Sequence, residues 1–305
     1  MTMSDGHKSL YRVWNTVSDD VNRNINLILV HGMTEHSGRY DEFARFLNLN
    51  GISVYALDLR GHGKTGEGSE RGWYAEKDGW MRTALDVIEL THDVKMSYPT
   101  YKTIIFGHSM GSYLTRQIIS SFPDEYSLAI LSGTGTPNWI IKGFGPMVSW
   151  FDRLFNGKKN PSKFMNTMSF ASFNKPFKRE DGTVTGFEWL NRDETEVQKY
   201  IDDPDCGFIC TSSFFYDFIR GMRSATSKKA ASRVNKDMPI LFISGDKDPV
   251  GDFGKGVKAA EELYKNAGVK TVEMKLYKDA RHELTNELCR QEVFNDVLSF
   301  IVDHT

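Results

Sequence analysis

Short runs rich in Ile, Leu, Val and Phe recur along the chain, and several of them end at glycine. They cover residues 26–32, 52–57, 103–107, 127–132, 239–245 and 271–277. In most of them apolar residues follow one another instead of alternating with polar ones. A continuous apolar run is typical of a strand that is buried on both faces, as in a parallel sheet. The runs therefore predict the strands of a buried, mostly parallel sheet.

Amphipathic segments separate these runs. Apolar side chains recur in them at the three- and four-residue spacing of one helix face, and Asp78 stands where the second helix is expected to have its N-cap. The segments cover residues 38–49, 78–97, 253–267 and 286–303. Strands that alternate with helices predict a doubly wound α/β fold. Residues 10–17 are expected to add an antiparallel strand at the edge of the sheet.

The alternation of strands and helices stops between residues 135 and 235. Twelve of the chain's 20 phenylalanines fall in this third. Within it, the segment from Pro146 to Phe155 is expected to form a short helix with proline in its first position. Because the strand pattern resumes afterwards, the sequence predicts an α/β core formed by residues 1–134 and 236–305. Residues 135–235 are predicted to be a helical cap, or lid, inserted into that core.

Composition and charge restrict the partners of the chain. The formal net charge of −2 and the lack of a long basic run argue against binding to nucleic acid. Cys206, Cys210 and Cys289 are an odd number and are expected to be reduced, and no cluster of Cys and His at ligand spacing indicates a zinc site. No stretch has the apolar length of a signal peptide or of a membrane-spanning helix. These features predict a cytoplasmic protein without a bound metal.

The stretch GHSMG at residues 107–111 places a serine between two glycines, after an apolar run and before a helical segment. A strand that turns sharply into a helix leaves little room beside the turn residue, so small neighbours are favoured two residues before and after it. Such a turn lifts the Ser109 hydroxyl above the carboxyl edge of the sheet, where open α/β sheets bind ligands. The pattern predicts that Ser109 is a nucleophile.

A serine nucleophile needs a general base, and the base needs a carboxylate that orients it. Among the eight histidines, His282 lies between the last strand and the last helix, at the same edge of the sheet. Asp246 and Asp248 both follow the preceding strand. Asp248 stands further out and precedes Pro249, which stiffens the loop. We prefer Asp248 as the acid and keep Asp246 as the alternative.

Acyl transfer also needs hydrogen-bond donors for the oxyanion that forms on the attacked carbonyl. The backbone N–H of Met110, the residue after the nucleophile, is expected to supply one donor. The loop after an early strand is expected to supply the second. His31, Gly32 and Met33 stand in that loop, and the N–H of Met33 is our choice.

Five separated motifs resemble the monoacylglycerol lipase and lysophospholipase branch of the α/β-hydrolases, whose members are often grouped with the serine aminopeptidases of the same clan. The motifs are HGMTEHSGRY at 31–40, DLRGHGKT at 58–65, GHSMG at 107–111, SGDKDPV at 244–250 and ARHEL at 280–284. The resemblance implies an α/β-hydrolase fold, no cofactor, and a cap over the site. Residue by residue, it implies a triad and two oxyanion donors: Ser109, Asp248, His282, Met33 and Met110.

This chain departs from the resemblance at one position of the first motif. In the glycerol-ester lipases the second residue after His-Gly is often glycine, whereas this chain has Thr34. The resemblance implies hydrolysis of a small carboxylic ester, and monoacylglycerols or lysophospholipids suit an aromatic cap. Phe151, Phe155 and Phe214 are our candidates for contacts with the acyl chain. A stripe around Met147, Phe151 and Phe155 also predicts transient contact with a membrane surface.

Two other functions stay open at this point. An aminopeptidase of the same clan would need an acidic cap residue that holds the amino group of the substrate, and several acids stand there. They are Glu188, Asp193, Glu194, Asp202, Asp203 and Asp205. A non-catalytic binding module on the same fold would need no triad, and the presence of all three triad residue types in order argues against it.

Overall fold

The computed structural model describes residues 1–16, 21–68, 71–137 and 139–305. In this part of the chain one seven-stranded sheet runs in the order β1-β3-β2-β4-β5-β6-β7. Its strands are β1 (Tyr11–Trp14), β2 (Ile25–Val30), β3 (Ile52–Leu57), β4 (Lys102–His108), β5 (Ala129–Ser132), β6 (Ile240–Gly245) and β7 (Val272–Tyr277). Strand β1 pairs antiparallel with β3 at the edge, and the other neighbouring pairs are parallel. The predicted sheet, including its antiparallel edge strand, is confirmed.

Helices follow most strands and cover both faces of the sheet. They are α1 (Asp41–Leu49), α2 (Gly79–Ser97), α3 (Met110–Ser121), α4 (Trp139–Asn156), α5 (Lys163–Phe170), α6 (Glu194–Asp202), α7 (Ser212–Ala225), α8 (Lys228–Arg233), α9 (Lys255–Asn266) and α10 (Arg290–His304). None of them, within the described residues, combines the length and the apolarity that a bilayer crossing requires.

The sheet separates two apolar cores because successive residues of a strand point to opposite faces. On one face Ile28 of β2 packs in a cluster with Leu114 of α3. On the other face Leu29 belongs to a cluster with Phe43 of α1 and Phe294 of α10. Since both faces are covered by helices, the carboxyl ends of the parallel strands are the edge where loops can build a site. This arrangement confirms the predicted α/β-hydrolase class.

Helices α4 to α8 lie between β5 and β6, and we call residues 135–235 the insertion. Helix α4 differs from its prediction, because it begins at Trp139 and contains Pro146 in its interior. A proline in that place removes one helical hydrogen bond. Ser149 Oγ donates to the Pro146 carbonyl (3.1 Å), and α4 packs along α7. Packing of a long apolar helix therefore outweighs the lost bond. The predicted boundaries of a separate cap domain stay a prediction.

The start of α2 also differs in detail from its prediction. Asp78 occupies the N-cap position, but its backbone is left-handed (φ 48°) and its side chain makes no capping hydrogen bond. The carboxylate of Asp217 on α7 lies there instead, so close that a Cβ built on Gly79 would be 2.6 Å from its Oδ2. A negative group at a helix N-terminus is favourable. The insertion thus contributes to the contacts that hold a core helix.

Candidate active site

Ser109 lies at the sharp turn between β4 and α3. Its φ of 50° and ψ of −120° are a conformation that residues with a side chain rarely adopt. The backbone N–H of Ser109 donates to the Ser132 carbonyl of the neighbouring strand end (2.9 Å), which holds the turn against the sheet. A serine in this strained strand-to-helix turn matches the geometry expected of an exposed nucleophile.

The glycines on either side of Ser109 are required by space. A Cβ built on Gly107 would lie 2.3 Å from Thr115 Oγ1, and one built on Gly111 would lie 2.2 Å from the Val30 carbonyl oxygen. Both distances are far below a van der Waals contact. Helix α3 can therefore approach β2 and β4 this closely only because these two positions lack side chains.

His282 and Asp248 form a buried pair in the loops after β7 and β6. The distance from His282 Nδ1 to Asp248 Oδ2 is 2.9 Å, and the exposed fractions of the two residues are 2% and 0%. Asp248 Oδ1 also accepts a hydrogen bond from the Val250 N–H (2.8 Å), and Ser244 Oγ donates to Asp248 Oδ2 (3.2 Å). These contacts fix the carboxylate, which in turn orients the imidazole.

The other ring nitrogen of His282 is the one that a general base would use. Nε2 is buried, and within the described residues it has no hydrogen-bond partner. A buried polar atom without a partner is unfavourable, and such atoms often mark functional positions. With Nδ1–H donating to Asp248, Nε2 carries the free lone pair that can accept a proton.

Two opposing effects set the pKa of His282. Burial would lower it, but the adjacent Asp248 carboxylate raises it, and the net direction is upward from 6.5. The ring of His108 lies 4.7 Å from the His282 ring. Burial and the neighbouring His282 lower the pKa of His108 to about 4, so His108 is neutral at physiological pH. The pKa values of the two adjacent histidines are therefore shifted in opposite directions.

Glycine positions show how closely the loops meet around Ser109. A Cβ on Gly32 would lie 3.2 Å from Ser109 Cβ, and one on Gly133 would lie 2.9 Å from His282 Cε1. The loop after β2 therefore approaches the nucleophile, and the loop after β5 approaches the histidine. The predicted triad and oxyanion residues are brought to one edge of the sheet, although their catalytic roles stay a prediction.

Asp246, the alternative acid, has a different environment. Its Oδ1 accepts a hydrogen bond from the Asp279 N–H (2.8 Å), and its side chain is 31% exposed. It joins the turn after β6 to the turn after β7. The geometry supports Asp248 as the partner of His282.

The two predicted oxyanion donors belong to different segments, the start of α3 and the loop after β2. Met110 is the first residue of α3, where N–H groups have no acceptor within the helix. Its Sδ accepts a hydrogen bond from the Tyr74 hydroxyl (2.9 Å). Met33 follows Gly32, whose N–H donates to Glu35 Oε1 (2.5 Å). Both donor residues are thus held by neighbours that the sequence did not single out.

The three cap phenylalanines lie in different surroundings. Phe214 is fully buried, and its ring lies 4.4 Å from the ring of Tyr74, which contacts Met110. Phe151 and Phe155 lie on α4 with exposed fractions of 46% and 81%, and their rings stack on each other at 6.2 Å. Phe214 therefore packs against Tyr74, the residue that contacts Met110, whereas the other two phenylalanines lie on the surface. Their contact with an acyl chain stays a prediction.

A buried ionic network beside the triad was missed by the sequence analysis. The Arg39 guanidinium pairs with Glu283, the residue after the candidate base, through Nη2 and Oε2 (2.8 Å). Arg39 Nη1 also donates to Glu35 Oε2 (3.2 Å). The network joins the loop after β2 to the loop after β7. All three residues belong to the quoted motifs at 31–40 and 280–284, which could have drawn attention to them. Arg39 and Glu283 are 244 positions apart, however, so no local sequence pattern predicts that they pair.

Three possible metal ligands meet away from the triad, although the sequence indicated no metal cluster. The ligand atoms of His36, Asp203 and Cys206 lie within 4.8 Å of one another. However, His36 Nδ1 accepts a hydrogen bond from the Gly38 N–H (3.1 Å), so Nε2 carries the proton and donates to Asp203 Oδ2 (2.9 Å). A metal on Nε2 would require the opposite tautomer. We interpret the cluster as a contact between the insertion and the loop after β2.

Known proteins share this architecture. The chain is 27% identical to the monoacylglycerol lipase of Mycolicibacterium smegmatis, over 98% of this chain and 94% of the relative. It is also 27% identical to human monoglyceride lipase, over 92% and 82% of the two chains. The structure of a carboxyl esterase from Bacillus coagulans, solved with glycerol, superposes with a TM-score of 0.90 at 27% identity and covers 100% of this chain and 97% of that one.

A family model gives the assignment. The model described as "Serine aminopeptidase, S33" matches residues 22–289, which include every strand after β1 and all the predicted site residues. The match agrees with the sequence resemblance and with the observed fold. The chain therefore belongs to the serine aminopeptidase S33 family of α/β-hydrolases.

Proposed function

We propose that the protein is a serine hydrolase of carboxylic esters and that its substrates are monoacylglycerols or lysophospholipids. The observation that carries the proposal is the buried pair of His282 and Asp248, in which Nε2 of His282 is left without a partner and the His282 ring contacts that of His108, the residue before Ser109. The relatives and the solved neighbour named above, which are lipases and an esterase by name, support the ester class.

The proposed reaction uses these groups in the roles of a serine triad and its oxyanion hole. Ser109 Oγ attacks the acyl carbonyl while His282 Nε2 takes its proton, and the N–H groups of Met33 and Met110 stabilise the resulting oxyanion. The imidazolium next gives its proton to the leaving alcohol, which breaks the ester bond and leaves an acyl group on Ser109. Water, deprotonated by His282, then attacks this acyl-enzyme. The fatty acid leaves and the serine hydroxyl is restored.

The insertion supplies the argument for an acyl substrate. It carries most of the chain's phenylalanines, and Phe214 lies directly behind the Tyr74–Met110 contact. An apolar channel near this point would bury an acyl chain, and each buried methylene contributes about 0.8 kcal/mol. The structure of the esterase relative, which contains glycerol, is consistent with a small polyol as the leaving group.

A panel of esters tests this assignment. We expect kcat/KM for glycerol monoesters to rise from the acetyl to about the octanoyl ester, by one or two orders of magnitude, because of the methylene increment. The panel includes lysophospholipids of matched chain length, which separate the two head-group classes. Preference for acetyl over octanoyl esters would show that the aromatic residues of the insertion only pack against one another.

The acidic residues that an aminopeptidase would need are already hydrogen-bonded within the protein, which weakens that alternative. Glu188, the most buried of them, accepts hydrogen bonds from the Thr185 N–H (2.7 Å) and from Asn174 Nδ2 (2.6 Å). The others contact the Thr195 N–H (Asp193), the Glu180 N–H (Glu194), Gln198 (Asp202), His36 (Asp203) and Arg71 (Asp205). Each carboxylate therefore already has a partner within the protein. Cleavage of aminoacyl-anilides faster than of monoesters would revive the alternative.

The pH dependence of acylation reports the state of His282. Only the neutral imidazole accepts the serine proton, and Asp248 raises the pKa of His282 above 6.5 despite its burial. The acylation rate should therefore rise with pH through a single titration whose midpoint lies above 6.5. Measurement of kcat/KM for an activated ester between about pH 5 and 9 checks this. A midpoint on the acid side of 6.5 would contradict the assignment of the base.

Helix α4 supports the further proposal that the protein touches membrane surfaces transiently. Its exposed apolar side chains are Phe144, Met147, Trp150, Phe151, Leu154 and Phe155. A helix with so many exposed apolar groups suits the interface of a bilayer, where its substrates would reside. The proposed compartment is the cytoplasm, with the protein visiting a membrane from that side.

Vesicle sedimentation tests the membrane contact. Replacing Phe144 and Leu154 with aspartate should lower binding to vesicles of phosphatidylcholine and phosphatidylglycerol by at least about fivefold, since burial of each side chain is worth over 1 kcal/mol. Hydrolysis of a dissolved short-chain ester should be unchanged. Met96→Asp on α2, an apolar position that is even more exposed, serves as the control. If the wild type, the α4 variant and the Met96→Asp control bound vesicles equally, α4 would be excluded as the membrane contact.

A further inference from the structure

Thr34 has a left-handed backbone with φ of 55°. Glycine adopts this conformation without strain, whereas a β-branched residue is rarely found there. The position follows Met33 directly and belongs to the loop that supplies the second oxyanion donor. A residue that is unfavourable for its own backbone must be held by its surroundings.

The contacts that hold Thr34 come from the insertion. The Tyr200 hydroxyl of α6 donates its one proton to the Thr34 carbonyl (3.0 Å) and receives the proton of Thr34 Oγ1 (2.8 Å). The Gly207 N–H, also in the insertion, donates to the same carbonyl (3.0 Å). Threonine thus adds a hydrogen bond that glycine cannot make. The side chain that strains the loop also ties it to Tyr200.

Tyr200 is itself firmly placed. It is 5% exposed, and the Arg39 guanidinium lies over its ring at 4.9 Å from the centroid. The ring of Phe187 packs against it at 5.2 Å. Burial raises the pKa of Tyr200, so its hydroxyl remains a donor throughout the physiological range. Arg39 pairs with Glu283, the residue after His282. Tyr200 therefore contacts both Thr34 and the ionic network beside the candidate base.

Met33 lies between two held positions. On one side the Gly32 N–H donates to Glu35 Oε1 (2.5 Å), an oxygen that also receives the Tyr40 hydroxyl (2.7 Å). On the other side the Thr34 carbonyl receives the two donors of the insertion. Since both flanking residues are fixed, the direction of the Met33 N–H is fixed with them. The Glu35 contact lies within the loop, whereas the Thr34 contact depends on the insertion being docked.

We propose that Tyr200 is a positioning residue for the oxyanion hole, which it aims by holding the strained Thr34 carbonyl and hydroxyl. The insertion therefore does more than cover the substrate, because its docking completes the second oxyanion donor. This inference rests on the proposed function. It concerns a tyrosine that does not itself touch the reacting atoms.

The test begins with Tyr200→Phe, which keeps the ring against Arg39 and Phe187 and removes only the hydroxyl. Loss of an oxyanion donor lowers kcat by about 10²–10³, so mis-aiming one should lower it by about tenfold. We expect that loss in kcat for a short activated ester, with KM changed less than about threefold. The rate of Ser109 labelling by a fluorophosphonate, whose oxygen occupies the same hole, should fall in parallel. A merely structural role would lower Tm and leave both rates unchanged.

A matched control removes the same kind of bond elsewhere. The Tyr126 hydroxyl contacts Thr91 Oγ1 (2.6 Å) in the buried core behind α2. Tyr126→Phe should leave kcat and the labelling rate as in the wild type. Thr34→Val keeps the branched shape and the Tyr200 contact to the carbonyl but loses the bond of the threonine hydroxyl, so it should lower kcat and the labelling rate by a smaller factor than Tyr200→Phe does. It replaces that variant if the latter does not fold.

The decisive measurement is a double-mutant cycle in kcat between positions 34 and 200. In a Thr34→Gly background the loop adopts the left-handed conformation without strain, so adding Tyr200→Phe should lower kcat by less than about threefold, against about tenfold in the Thr34 protein. Equal losses in both backgrounds, or an unchanged kcat in Tyr200→Phe and Thr34→Val, would overturn the inference. A wild type that is not labelled at Ser109 would instead refute the proposed function.

Discussion

Ser109→Ala is expected to lower ester turnover by about five to six orders of magnitude and to abolish labelling by a fluorophosphonate probe. The hydroxyl oxygen of Ser109 forms the covalent bond to the acyl group, and no other group in the proposed reaction replaces it. The fold should persist, because alanine is smaller than serine and the turn is held by the backbone contact to Ser132. Intact-mass spectrometry after probe treatment, together with a thermal melt, measures both expectations.

Ser120→Ala is the matched control for this variant. Ser120 lies on α3, the helix that follows Ser109, is buried, and donates to the Gln117 carbonyl (3.0 Å). The Ser120→Ala variant should be labelled by the probe at Ser109 as fast as the wild type. Full labelling of Ser109→Ala would refute the nucleophile. A wild type that binds an acyl ester but neither turns it over nor reacts with the probe would establish the binding-module alternative.

Much of the fold was predictable because its strands are buried on both faces. The run at 52–57 coincides with β3, and the runs at 103–107 and 127–132 differ from β4 and β5 by two residues at most at either end. In such strands nearly every side chain contacts the core, so the sequence is apolar from end to end. The helix ends were less predictable. Near Asp78 and Pro146 the course of the helix depends on contacts with α7, which is distant in the sequence and packs against both α2 and α4.

The site residues also fall into a group that the sequence could predict and a group that it could not. Ser109, Asp248 and His282 follow strands, and the carboxyl ends of parallel strands meet at one edge, so their proximity could be inferred from their order. The supporting groups could not. Arg39 reaches Glu283 across the sheet edge, and Tyr200 reaches Thr34 from a helix of the insertion. These contacts depend on how loops and the insertion dock, which no periodicity in the sequence encodes.

Asp248→Asn is expected to lower kcat by about 10⁴, the effect of neutralising a triad carboxylate. The amide can donate a hydrogen bond to His282 Nδ1, which favours the tautomer with the proton on Nε2. That tautomer cannot accept the proton of Ser109. Loss of the carboxylate also removes the charge that raises the pKa of His282. The remaining activity should therefore titrate at lower pH than in the wild type.

Asp246→Asn separates the two candidate acids, because it makes the same chemical change two residues away. Its Oδ1 accepts the Asp279 N–H, and an amide oxygen can still accept that bond. We therefore expect kcat within about threefold of the wild type, since exposed hydrogen bonds contribute little to the site. Steady-state kinetics of both variants with one activated ester, across the pH range, make the comparison. If Asp246→Asn lost four orders of magnitude and Asp248→Asn did not, Asp246 would be the catalytic acid and the buried pair at His282 would be structural.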